Sequence, residues 1–358
     1  MVYEYANHLS KRGHAVTLIH PALNRKNAGL SQISRSATSF IYRRVSGTYR
    51  PTHWFRLDPS VAVRWVPTLS ASFVPDGDIV VATAWNTAEW ITKYPASKGR
   101  RVYLIQSWEI WDGPEDRVRA TWKAPLTRIV VARWLRQLGA DMGLPCIFIP
   151  NGIDLNQFGL DVPIEARDPN EVMMLYHSHP VKGSADGLAA LELVHRTLPD
   201  LRATLFGTST PDRRFPSWVK YYRLPSQKEL RALYNRAAVF VSPAGMEGWP
   251  LPPAEAMICG AALVATDIAG HREYASHGET ALLSPPGNPG LLAENILRFV
   301  KDTSLRLAVA KNGNTFVRKF SWERAADLLE GVLRSPDASL ERSSRAYVVP
   351  SQIQDPTW

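Results

Sequence analysis

The stretch Ser242-Pro-Ala-Gly-Met-Glu-Gly-Trp-Pro-Leu-Pro-Pro-Ala-Glu-Ala-Met-Ile-Cys-Gly260, continued by Ala-Ala-Leu-Val-Ala-Thr-Asp267, decides the fold. The apolar run from Ala238 to Ser242 reads as a buried strand, a loop of small residues follows, and Pro252 and Pro253 suit a helix start, where a missing N–H costs little. A helix over Pro253–Cys259 then leads into a second buried strand, Ala261–Ala265. Strand, loop, helix and strand in that order describe a parallel α/β sheet, in which ligands bind beyond the carboxyl ends of the strands. A helix that begins there also offers free N–H groups and a positive dipole end to phosphate. Glu247 lies in the loop and Glu255 eight positions later, so one can face a sugar while the other reaches a ribose. Taken singly, each also has a plainer reading, Glu255 as a complement to the helix dipole and Glu247 as a solvated loop residue.

The same alternation extends outward in both directions. On the amino-terminal side come a strand at Val172–Tyr176, a helix at Ser184–Thr197, a strand at Arg202–Phe206 and a helix at Gln227–Arg236; on the other side, helices at Gly290–Thr303 and Trp322–Leu333. The first half opens with a helix from Val2 and a strand at Ala15–Ile19. A polar, weakly periodic stretch over 20–75 follows, then strands at Asp78–Ala84, Arg101–Ile105, Arg128–Ala132 and Pro145–Ile149. The expected organisation is a Rossmann-like domain over 1–150, a second over 151–321, a C-terminal helix over 322–335 that packs back towards the first domain, and a flexible tail over 336–358.

With 358 residues, 45% hydrophobic and 21% charged, the composition is globular and excludes a disordered, collagenous or coiled-coil chain. No apolar run approaches the roughly 18 to 20 residues of a membrane span, and the start lacks the pattern of a cleaved leader. Cys146 and Cys259 make no disulfide framework, so a cytoplasmic location is expected. The net charge of +9 lies wholly in the first half: residues 1–160 carry 20 Lys and Arg against 11 Asp and Glu, and the remainder carries 22 of each. Eight of the twelve tryptophans share that half. The mixture suits an anionic membrane surface at the inner face as partner, or a solvated basic face around core tryptophans. No recognised motif for nucleic acid accompanies the charge, and no nucleic-acid partner is expected.

The segment 242–267 resembles the EX7E signature of the family 4 retaining glycosyltransferases. His14-Ala-Val-Thr-Leu-Ile19 resembles that family's Gly-His-x-Val-Thr-Leu strand, Ile149-Pro-Asn-Gly-Ile-Asp154 its interdomain motif, and Pro180-Val-Lys-Gly183 its Pro-x-Lys-Gly loop. The resemblance implies a GT-B fold, two Rossmann-like domains with parallel sheets facing a cleft. It implies a nucleoside-diphosphate sugar as donor, a glycan or lipid-linked acceptor in cell-surface polysaccharide synthesis, no cofactor, and no metal or divalent-metal clamp. Lys182 would lie over the donor diphosphate, Glu247 against the transferred sugar and Glu255 against the ribose, with Gly183, Gly248, Trp249 and Leu251 lining the donor. His177 stands where the family usually has arginine, so either His179 or another cation would assist it or the donor would be gripped more weakly. Pro250 replaces a glycine and has no N–H to give.

In the first domain, Thr83 takes the place of a histidine that approaches the sugar. Tyr103-Leu-Ile-Gln-Ser-Trp-Glu109 with Trp111 resembles an acceptor-side loop of the bacterial rhamnosyltransferase-like branch, which makes Trp108, Glu109 and Trp111 candidate acceptor contacts. Members of the family open with a strand and a Gly-Gly loop before the helix that here starts at Val2, so roughly 10 to 25 further residues are expected upstream. The competing readings are a nucleotide-sugar epimerase and a non-catalytic nucleotide- or glycan-binding protein.

Overall fold

The computed structural model describes residues 1–23, 38, 40–51, 55–211 and 214–335. Trp54 and the expected tail over 336–358 lie outside the described residues. The chain divides into two compact units. One, the C-terminal sheet unit, joins Met1–Val16 and Arg50–Val61 to Pro150–Ala325; the other, the N-terminal sheet unit, comprises Thr17–Tyr49, Ala62–Ile149 and Ala326–Trp358. Helix α1 (Val2–Lys11) therefore groups with the second half of the chain, tied there by Asn7 Nδ2, which donates to the Arg56 carbonyl, and by Arg12, which pairs with Glu323 at 3.1 Å.

The C-terminal sheet unit holds six parallel strands: β7 (Glu171–Leu175), β8 (Arg202–Gly207), β9 (Val219–Arg223), β10 (Val239–Ser242), β11 (Ala262–Thr266) and β12 (Ala281–Ser284). Their spatial order is β12-β11-β10-β7-β8-β9, the doubly wound order with the first strand at the centre. Central strands of such a sheet are covered on both faces, which is why β7, β10 and β11 read as unbroken Val, Met, Leu and Ala runs rather than as alternation. The helices between them are α5 (Ser184–Thr197), α6 (Gln227–Arg236), α7 (Leu251–Ile258), α8 (Pro289–Lys301) and α9 (Thr303–Val317). Ser226 and Glu229 form a reciprocal capping box that fixes the start of α6. The expected helix Gly290–Thr303 ends at Lys301, because Asp302 caps a new helix through its side chain.

The N-terminal sheet unit contains two separate parallel sheets. Among the described residues, strands β1 (Thr17–Leu23) and β2 (Ala62–Thr68) pair only with each other, and β3 (Ile79–Ala82), β4 (Arg100–Ile105), β5 (Thr127–Val130) and β6 (Ile147–Phe148) form the second sheet in chain order. Its helices are α2 (Trp85–Ile91), α3 (Glu115–Lys123) and α4 (Arg133–Asp141). Strand β2 lies inside the stretch expected to be polar and irregular. Trp65 and Val66 are its buried residues, one on each face, and the Trp65 indole donates to the Phe40 carbonyl at 3.0 Å. A last helix, α10 (Trp322–Arg334), begins against the Pro150-Asn-Gly loop: Ile153 bridges Ser321, and a Cβ on Gly152 would meet the Trp322 amide at 2.3 Å. Among the described residues no helix is long and apolar enough to cross a membrane.

Candidate donor-binding site

Two loops at the carboxyl edge of the C-terminal sheet meet to form the site. After β7, a short 3-10 turn over Pro180–Lys182 ends at Gly183, whose φ of +65° is left-handed and whose missing Cβ would stand 2.0 Å from the Pro243 carbonyl oxygen. Glycine alone satisfies both demands, and α5 starts at the next residue. After β10, the loop over 243–250 docks on that turn, where the Gly245 amide donates to the Val181 carbonyl at 2.8 Å. Gly270 lies close behind Glu247; a Cβ there would come within 2.3 Å of the Glu247 carbonyl oxygen.

The two loops bring Lys182 and Glu247 together. The ammonium Nζ meets the carboxylate Oε1 at 2.6 Å, with the side chains 30% and 18% exposed. A cation and an anion held side by side, both open to solvent, suit a ligand that carries phosphate beside hydroxyl groups. His177 lies at the end of β7. Its Nδ1 accepts the His179 amide at 2.9 Å, so the ring proton resides on Nε2 and the imidazole is a neutral donor. Burial, then the charges of Lys182 and His179, push its pKa below the usual histidine range. Nδ1 of His179 is itself occupied by the Val181 amide. The first-turn N–H groups of α5, from Ser184 to Asp186, have no acceptor within the helix.

Helix α7 begins at Leu251, two residues before the expected start, so Glu255 falls in its fifth position and no acid lies in its first turn. The dipole-complement reading of Glu255 is thereby replaced by a specific contact, the Tyr234 hydroxyl, which donates to Glu255 Oε2 at 3.0 Å. Burial raises the Glu255 carboxyl to about 7, against the lowering effect of that hydrogen bond. Of the four terminal positions of α7, Pro250, Pro252 and Pro253 have no N–H, which leaves Leu251 as the single outward donor. Pro250 contributes its carbonyl instead, to the Tyr274 hydroxyl at 2.7 Å. The Trp249 side chain is core, packed edge-on against Tyr274 and Phe320, so only its backbone is available to a ligand.

Behind the site the fully buried His271 ties the strand ends together. Its Nδ1 donates to the Thr266 carbonyl at 2.7 Å, its Nε2 accepts the Ser242 hydroxyl at 2.7 Å, and burial lowers its pKa to about 4. Nothing in the sequence pattern marks His271 or Tyr234, because their roles depend on packing across the sheet.

The candidates Thr83, Trp108, Glu109 and Trp111 all fall in the N-terminal sheet unit, beyond the carboxyl ends of β3 and β4. Glu109 turns inward: its Oε2 accepts the Trp85 amide at 2.7 Å at the start of α2, and burial raises it to about 7. Trp108 is buried edge-on against Trp122, Trp111 is 38% exposed, and the Thr83 carbonyl accepts from Gln106 Nε2 at 2.8 Å. The sequence does hold one Asp-x-Asp triplet, Asp76-Gly77-Asp78. It lies before β3, at the amino edge of its sheet, where Lys98 holds Asp76 at 2.7 Å.

These features define an α/β protein with parallel sheets in both units. Residues 163–316 match the family model described as glycosyl transferases group 1. The phosphatidyl-myo-inositol mannosyltransferase of Mycobacterium tuberculosis is 27% identical over 209 residues, 54% of each chain, and O-antigen chain mannosyltransferase B of Escherichia coli is 31% identical over 106 residues, 30% of this chain and 27% of that one. The chain thus matches about half the length of its first curated relatives. Among solved structures, sucrose-phosphate synthase of Thermosynechococcus elongatus superposes with a TM-score of 0.68 over 93% of this chain and 92% of that one, at 17% identity. Anabaena Alr3699/HepE in complex with UDP gives 0.69 over 89% and 99%, at 15% identity. The fold is accordingly α/β of the GT-B class.

Proposed function

We propose that the protein is a retaining glycosyltransferase that moves a sugar from a nucleoside-diphosphate donor to a glycan or lipid-linked acceptor. The observation that carries this reading is the gathering of the Lys182 ammonium, the neutral His177 Nε2–H and the first-turn N–H groups of α5 at one sheet edge, beside the Glu247 carboxylate. In the reaction, the bond between the sugar carbon and the diphosphate oxygen breaks, and the acceptor oxygen bonds to the same face of that carbon. The departing phosphate oxygen takes the acceptor proton. Lys182, His177 and the helix N–H groups offset the charge that develops on the diphosphate, and Glu247 orients the sugar hydroxyls. Glu255, supported by Tyr234, receives the ribose hydroxyls, and Gly183, Gly248, Trp249 and Leu251 present backbone to the donor. No metal ion and no cofactor takes part in this reading.

The mannosyltransferase relatives favour a mannose donor and a lipid-linked acceptor, whereas the UDP in the HepE complex favours a uridine nucleotide. Thr83, Trp108, Glu109 and Trp111 belong to the acceptor side, with Glu109 as a positioning residue through α2 rather than a direct contact. The basic half of the chain suits a peripheral place on an anionic cytoplasmic membrane face.

The test is release of nucleoside diphosphate from a panel of nucleotide sugars with lipid extract as acceptor. Turnover of one donor, lost in Lys182→Ala and in Glu255→Ala, is the expected result. Nucleoside-diphosphate binding without turnover of any donor would replace the transferase with a binding protein, and isomerisation of a donor without acceptor would make it an epimerase.

A further inference from the structure

A second cleft lies in the N-terminal sheet unit, with a volume of about 1450 Å³. It occupies the amino edge of the sheet, where β4, β5 and β6 begin, and so lies a strand length, roughly 17 Å, from the carboxyl edge that carries Thr83 and Glu109. Four arginines line it, Arg100, Arg101, Arg128 and Arg136, and no acidic residue does. The parallel register brings them together: Tyr103 stands opposite Arg128, so Arg101 and Arg128 enter neighbouring strands from the same edge.

Three of the four are fixed by backbone carbonyls. Arg100 donates to Val332, Leu333 and Ser335 at 2.8, 2.6 and 2.5 Å, Arg101 donates to Thr92 at 2.6 Å, and Arg128 donates to Trp122 and, at 2.8 Å, to Ala124. Carbonyls hold a guanidinium in place without neutralising it. Among the described residues no carboxylate pairs with any of the four. Arg136, on α4, is exposed at the rim. Leu126, Ile147 and Phe148 supply an apolar wall.

Three preorganised cations and a fourth at the rim, around a cleft whose lining holds no counter-charge, make an anion site, since each guanidinium keeps further N–H donors in a fork that matches phosphate oxygens. We infer that this cleft binds a phosphate-bearing anion, either the headgroup of an anionic lipid or a free polyphosphate. The volume exceeds what a single inorganic phosphate fills, and the apolar wall accommodates the rest of an amphiphile. The inference rests on no step of the transferase reading.

Cys146 makes the test direct. It lines the cleft, and the protein's other cysteine, Cys259, is fully buried. Alkylation of the full chain by N-ethylmaleimide, followed by intact mass, therefore reports on the cleft, with Cys146→Ser as blank. Inorganic pyrophosphate, compared with sodium chloride of equal ionic strength, is one arm; vesicles of phosphatidylglycerol, compared with phosphatidylcholine, are the other. About tenfold slower alkylation in at least one arm is expected, with protection abolished by Arg136→Glu, a rim change that breaks no internal hydrogen bond. Protection by pyrophosphate alone assigns a soluble ligand, and protection by phosphatidylglycerol alone a lipid headgroup. Unchanged alkylation in both arms, or protection that survives in Arg136→Glu, overturns the inference.

Discussion

The two units of this protein both carry parallel strands and join them differently. In the C-terminal sheet, β7 joins β8–β9 to β10–β11–β12, and its Val172, Met173 and Met174 are fully buried. In the N-terminal unit the described strands form two separate sheets, β1–β2 and β3–β4–β5–β6, and no described residue joins them. Every residue of β1 is only half-buried, and Val81 of β3, which a doubly covered sheet would enclose, is 38% exposed. A central strand thus contributes two ladders and two covered faces at once. Where it is present the sheet edge can hold charged groups in a fixed geometry; where the ladder is interrupted, the flanks rest on fewer neighbours.

Hydrogen exchange followed by mass spectrometry tests that contrast where it is largest. A two-stranded sheet is marginal by itself, so the amides of β1 and β2 are expected to exchange about a thousandfold faster than those of β7, β10 and β11. Equal protection in both units would break the comparison.

A smaller effect comes from two carboxyls, one in each unit. Glu109 and Glu255 are both raised to about 7, chiefly by burial. Each keeps its proton in the folded chain across a window from the ordinary value of 4.5 to about 7. The folded state therefore binds more protons than the unfolded state there, and stability falls as pH rises through that window. Glu109→Gln and Glu255→Gln should each flatten the fall between about pH 5 and 8 by ~1 kcal/mol, a figure discounted for partial exposure, as read from urea midpoints. An unchanged slope in either variant would mean that its carboxyl is ionised throughout.

Much of the C-terminal unit was legible in the sequence because its local signals agree with its packing. Helix α5 follows a glycine that only a left-handed turn requires, α6 has a capping box, and the buried strands are unbroken apolar runs. Strand β2 was not legible, since Arg64 and Pro67 interrupt its apolar residues within a Ser- and Arg-rich region. Helix α7 starts two residues before its sequence signal, because the two prolines that suggest a helix start occupy its second and third positions. Lys182 and Glu247 stand 65 residues apart, and a motif could bring them into one site on paper, but not supply the 2.6 Å contact. Tyr234, His271 and the arginine cleft carry no pattern along the chain, because register and crossovers alone assemble them.

The central claim is that the carboxyl edge of the C-terminal sheet grips a nucleoside diphosphate through Lys182. Calorimetric titration of UDP and of GDP into the wild-type chain, Lys182→Met and Lys311→Met tests it most directly; Lys311 is an exposed lysine paired with Glu165 in the same unit, so it carries the same charge change away from the site. The expected result is binding of one of the two nucleotides, weakened at least about tenfold in Lys182→Met and unchanged in Lys311→Met. Equal affinity in all three proteins, or no binding of either nucleotide to the wild type, would contradict the claim.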